Sequence, residues 1–112
     1  MRANVHIQVL VFSGCPHGEP TLDLVRRLAV THGVVSPVET VEIRSAEDAV
    51  RSRFLGSPTV RVNGLDVDLD ARGRTDFAMV CRLYGASGVP PAESVAAAIH
   101  EAAVGRMAAK PM

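Results

Sequence analysis

The sequence predicts an α/β domain: a mixed four-stranded sheet built in the order β-α-β-α-β-β-α, with helices on both faces. Three observations carry that prediction. Two apolar or alternating runs, residues 5–12 and 38–44, are separated by a stretch whose apolar residues recur at helical spacing. An Asn63-Gly64 pair lies between two further alternating runs. A final segment from Pro91 again shows helical spacing.

Residues 5–12 (VHIQVLVF) begin with alternation and end fully apolar, which predicts a central strand. Residues 13–18 break it with Ser, two Gly and Pro. From about Glu19 to His32, Leu22, Val25, Leu28 and Ala29 form one helical face, and Gly33 supplies a stop. Residues 38–44 alternate as a second strand. Ser45 is a good N-cap for a short helix, with Asp48 three residues on, and this helix is expected to reach about Leu55 and end at Gly56. Residues 59–62 and 65–69 alternate on either side of Asn63-Gly64, a strong two-residue hairpin signal, so they are expected to pair antiparallel. Pro91 suits the first position of a last helix, with Val95, Ala98, Ile99, Ala102 and Ala103 inward and Gly105 beyond its end. A right-handed βαβ unit followed by a hairpin and a helix packs as one mixed sheet.

Composition bounds the function. A length of 112 residues fits one domain, read here as residues 1–112 with an ordered core of about 5–104 and loose ends at 1–4 and 106–112. Lys plus Arg equals Asp plus Glu at 12 each, so no basic field is present to hold a phosphate backbone, and nucleic acid is excluded as an expected partner. No run is long enough to span a bilayer or to serve as a secretory signal, so neither a membrane partner nor export is expected. The expected compartment is the cytoplasm, where thiols stay reduced. Two cysteines are then core residues, reactive thiols or metal ligands, not a disulfide framework.

The residues that carry chemistry begin with Cys15. It follows the first strand at its carboxyl end, where α/β folds place their sites, and it precedes a helix whose amides and dipole favour a thiolate. If Pro16 opens the helix, Cys15 caps it, and Pro20 forces a kink in the second turn. If Pro20 opens it, Cys15 lies in a loop and gains less. The alternative is an inert thiol buried in a tight turn. Pro58 cannot donate to a ladder and so belongs at the edge of the third strand. Chain reversal at Asn63-Gly64 sends the fourth strand back towards Cys15, which brings Cys81 near the same rim. There it is either a resolving partner for Cys15 or a core residue among Phe77, Met79, Val80 and Leu83. His17 could steady a thiolate or ligate a metal, or be a solvated loop residue. Arg74 and Arg82 either face the same edge or are ordinary surface residues. Thr75-Asp76 could cap a helical turn over residues 77–83 that carries Cys81. No metal motif, phosphate-binding loop or nucleophile elbow is present, so no metal and no cofactor are expected.

In these segments the chain resembles the thioredoxin superfamily. More narrowly, it is similar to a group of small bacterial thioredoxin-like proteins, sometimes labelled alkylmercury-lyase-like, that share a GCP turn, an RFLGSPTV segment followed by V-G, and a later CRLY. Here these are Gly14-Cys15-Pro16, residues 53–62 and Cys81-Arg82-Leu83-Tyr84, and the resemblance covers about residues 5–104. It implies a thioredoxin-like fold and a cis Ser57–Pro58 bond facing Cys15, with backbone groups left open to a bound peptide or thiol. Cys15, Cys81 and Pro58 would then be catalytic, and Pro16, His17, Ser57 and Thr59 would contact substrate. One departure is clear: the frame from Cys15 reads Cys15-Pro16-His17-Gly18, so the second cysteine of a Cys-x-x-Cys pair is glycine. The expected function is thiol–disulfide exchange or thiol transfer through Cys15, with a protein or small-molecule thiol as partner. Soft-metal or organomercury binding by Cys15 and Cys81, and a non-catalytic binding module, are the alternatives.

Overall fold

The computed structural model describes residues 5–85 and 87–108. Strand β1 (Ile7–Phe12) is followed by helix α1 (Gly18–Thr31), strand β2 (Glu39–Ile43), helix α2 (Ala46–Arg51), strands β3 (Thr59–Val62) and β4 (Leu65–Asp66), a single 3-10 turn (Leu69–Ala71) and helix α3 (Ala92–Ala108). The strands form one mixed sheet in the order β2-β1-β3-β4. β1 runs parallel to β2, with Val9 opposite Thr40, and antiparallel to β3, with Val9 opposite Val60. The expected α/β architecture of four strands and their helices is present.

Alternation along β1 divides the interior into two layers. Ile7 and Val9 join Val60 and Val62 of β3, Leu22 and Val25 of α1, and Val95 and Ile99 of α3 on one face. Leu10 points the other way and packs with Ile43, Ala49 of α2 and Phe54. The sheet is therefore covered by α1 and α3 on one side and by α2 on the other.

Several boundaries differ from expectation, each for a local reason. α2 stops at Arg51 and does not reach Leu55. Arg53 adopts φ +56°, the Arg53 amide bonds to the Val50 carbonyl at 3.1 Å, and the Phe54 amide bonds to the Ala49 carbonyl at 2.8 Å. That pair of bonds is a Schellman stop, made here without glycine, and it turns Phe54 into the core. The start of α2 follows expectation, since Ser45 Oγ accepts from the Asp48 amide at 3.0 Å. β4 is shorter than the run 65–69. Asp66 Oδ1 accepts from the Asp68 amide and Asp68 Oδ1 from the Asp70 amide, so short polar side chains draw the backbone out of the ladder and into the 3-10 turn. The hairpin turn has the positive φ values that Asn-Gly accommodates, +52° and +83°. α3 continues through Gly105 to Ala108, because an interior glycine costs a helix only about 1 kcal/mol and does not compel a stop. Residues 1–4 and 109–112, expected to be loose, lie outside the described residues. No helical turn forms over residues 77–83.

Candidate functional site

Two consecutive turns place Cys15. Its amide bonds to the Phe12 carbonyl at 3.3 Å, and its carbonyl accepts from the Gly18 amide at 3.2 Å. Helix α1 therefore opens at neither proline. His17 is the cap residue, without a side-chain cap bond, and Gly18 is the first helical residue. Pro20 sits in the first turn, where an amide has no partner within the helix anyway, so no kink is needed. The expectation that Cys15 stands at the helix start is corrected: it lies three residues before, and its carbonyl, not its sulfur, takes the first helical amide.

The Cys15 side chain is half-buried and lines a cavity of about 350 Å³. Val9, Val11, Phe12 and Leu22 supply apolar walls, and Glu19, Thr40 and Glu42 supply polar groups. A Cβ at Gly18 would make ordinary contact with Val11 Cγ1 at 3.4 Å. Pro16 is exposed. His17 is half-buried, not solvated, and its ring packs over Gly88. A Cβ at Gly88 would fall 2.5 Å from His17 Nε2, and Gly88 has φ +75°.

On the far side of β1, a chain of hydrogen bonds joins the other predicted segments. The Phe12 amide donates to Ser57 Oγ at 3.3 Å. The Ser57 amide donates to the Val80 carbonyl at 2.8 Å, and the Ser57 carbonyl accepts from the Arg82 amide at 2.9 Å, so Ser57 and Cys81 form a one-residue parallel bridge. The Ser57–Pro58 peptide bond is cis, and the Pro58 carbonyl accepts from the Tyr84 hydroxyl at 2.7 Å. Segment 80–82 approaches this closely because residue 56 is glycine: a Cβ there would meet Arg82 Cβ at 3.0 Å and the Val80 carbonyl at 3.1 Å.

These bonds correct the expected open groove at Pro58. Ser57, Pro58 and Thr59 are buried, both backbone groups of Ser57 are already paired within the chain, and Thr59 Oγ1 donates to the Gly56 carbonyl at 2.6 Å. None of the three presents a free surface to a substrate in this arrangement. Their polar groups are satisfied within the chain by Phe12, Gly56 and segment 80–84. Cys81, in contrast, is exposed, so the core-packing alternative for it is set aside. Cys15 and Cys81 are both free thiols; Cys15 follows the last residue of β1 by three positions, and Cys81 bridges Ser57, whose hydroxyl accepts from the amide of that same last residue.

Sequence reasoning missed what holds this segment down. Arg82, read as an edge or surface cation, is only 7% exposed, as is its partner Asp66. Its guanidinium donates to both oxygens of Asp66 at 2.8 and 3.0 Å and to Thr59 Oγ1 at 3.1 Å, and it lies 4.7 Å from the centre of the Tyr84 ring. Burial works against the Arg82 charge, but the Asp66 bonds and the nearby acids outweigh it and raise its pKa. Burial pushes the Tyr84 phenol well above its ordinary value. The only signal in the sequence was Asp66 within an alternating run. Within that run Leu65 is 53% exposed and Asp66 is the buried member. Arg74, the other candidate cation, pairs with Asp76 at 2.6 Å.

No group of three or more His, Cys, Asp or Glu that could hold a metal ion occurs among the described residues. Nor is any helix among them long and apolar enough to cross a membrane. A wider groove of about 870 Å³ lies along α3 and contains neither cysteine. No protein-family model, no curated protein and no solved structure matches this chain.

Proposed function

We propose that this chain is a thioredoxin-like thiol protein in which Cys15 performs thiol–disulfide exchange with a small or protein-borne disulfide. The observation that carries the reading is a half-buried thiol opening on a 350 Å³ cavity at the carboxyl end of the central strand. The fold supports it with a parallel β1–β2 pair extended on the other side by an antiparallel hairpin. In the exchange, the Cys15 thiolate attacks one sulfur of the disulfide. A new sulfur–sulfur bond forms, the old one breaks, and the departing half leaves as a thiolate that takes a proton from water. The exposed Cys81 then serves as the resolving thiol: it displaces the bound half from Cys15 and leaves a Cys15–Cys81 disulfide.

The test treats the reduced protein with cystamine and locates the adduct by mass spectrometry. The expected first adduct is on Cys15, absent from Cys15→Ser. In Cys81→Ser it should accumulate, because nothing resolves it. Equal labelling of Cys15→Ser and wild type would remove the proposal.

A non-catalytic binding module is the second reading, favoured by the pairing of Ser57 with segment 80–82, which fills the place where an extended partner would add. Unchanged partner binding by Cys15→Ser would select it.

A further inference from the structure

The groove along α3 is built from two elements unrelated to either thiol. One wall is the outer face of α3, the other the segment 67–72 that follows the hairpin. Val95 and Ile99 of α3 are fully buried against the sheet. The outer face is mixed: exposed Ala97 and Val104, 46% exposed, stand among Glu93, His100 and Glu101. Across the groove Leu69 stands 67% exposed on its 3-10 turn. The exposed apolar groups on the two walls, Ala97, Val104 and Leu69, have no covering element among the described residues.

The rim is acidic. Glu93 and Glu101 flank Ala97 four residues away on either side, which puts all three on one helical stripe, and Asp70 faces them from the opposite wall. None of these three carboxylates has an ion pair among the described residues. Asp68 also lines the groove but is 3.6 Å from the Arg82 guanidinium. Among the described residues one arginine, Arg72, lines the groove; its Nε donates to the Asp66 carbonyl at 2.8 Å, and its charge offsets only one of the four carboxylates in the lining. In a chain whose net charge is zero, this groove therefore concentrates negative charge around an apolar floor.

From this charge complementarity we infer that the groove is a docking site for a basic amphipathic helix of a partner protein. The partner's apolar side lies on Ala97, Val104 and Leu69, and its Lys or Arg residues meet Asp70, Glu93 and Glu101. From Glu93 to Val104 the wall is about 16 Å long, at about 1.5 Å per residue, which accommodates about three turns of a docked helix. The acidic rim disfavours an anionic membrane surface or a nucleic acid in the same place.

The test uses the full chain and a fluorescein-labelled peptide about fourteen residues long, with leucines on one helical face and lysines on the other, read by anisotropy. Glu93→Lys and Glu101→Lys should each weaken binding about five- to tenfold, as expected when a surface ion pair becomes a repulsion. Glu47→Lys, on α2 across the sheet, should leave it unchanged. Added salt should weaken it, and a peptide with glutamate in place of lysine should not bind. Equal loss in Glu47→Lys, or equal binding of a peptide with the same residues scrambled, would reduce the effect to bulk charge and overturn the inference. Sedimentation showing a dimer that Glu93→Lys dissolves would assign the groove to a second copy of this chain, which also overturns it.

Discussion

Replacing Arg82 with methionine tests whether a buried ion pair fastens segment 80–84 to the sheet. The guanidinium makes two bonds to Asp66 and one to Thr59, and it stacks on Tyr84. Both charged side chains are 7% exposed, so the pair is shielded from the solvent that weakens surface pairs. Removing one partner leaves a buried carboxylate without its counter-charge, at a cost of about 3–5 kcal/mol. With a urea m-value of about 1.5 kcal/mol/M, the unfolding midpoint should fall by about 2–3 M. The double variant Arg82→Met/Asp66→Asn removes both charges and keeps the oxygen that accepts from the Asp68 amide, so it should regain most of that loss. Tyr84 provides a second readout. It is the only tyrosine and the chain has no tryptophan, so phenolate absorbance reports this one group. In the wild type its ionisation should lie well above pH 10, and in Arg82→Met it should return to about 10 if the segment comes loose. A midpoint within about 0.5 M of wild type, which at that m-value is under 1 kcal/mol, would refute the argument, above all with an unchanged Tyr84 titration.

Four further outcomes follow from the same physics. Tyr84 has its folded pKa raised by burial, so the folded state holds its proton where the unfolded chain has lost it; this stabilisation is complete below about pH 10 and fades as pH rises beyond, and Tyr84→Phe should flatten the alkaline decline in urea midpoint. Phe54 is fully buried at the turn where α2 enters the second layer, so Phe54→Ala should destabilise by about 3–5 kcal/mol by calorimetry or urea titration. Thr21 is fully buried and its hydroxyl has no hydrogen-bond partner among the described residues, so Thr21→Val should raise stability by about 1 kcal/mol, and a loss would show that the hydroxyl is satisfied in solution. Because Glu19 and Glu42 line the Cys15 cavity, cystamine, a cationic disulfide, should react with Cys15 faster than the anionic glutathione disulfide; Glu42→Gln should narrow the ratio, and equal rates measured by stopped-flow would mean the carboxylates do not reach the reacting sulfur.

What the sequence alone determined here is what neighbouring residues settle between themselves. The alternation of residues 5–12 specified a central strand with two buried faces, Asn63-Gly64 specified its turn through positive φ, and Ser45 specified the start of α2 through one capping bond. Each depends on side-chain period or backbone preference within a few residues. The tertiary structure decided the rest, because it turned on groups far apart in the chain. Asp66, and not Leu65, is the buried member of its strand because an arginine 16 residues on reached the carboxylate, and a buried charge is tolerated only with such a partner. The open edge expected at Ser57 was closed by residues 80 and 82, which no local pattern could announce. Cys15 drew its surroundings from β1, α1 and β2 together, so the cavity beside it existed only once the sheet had brought those elements into contact.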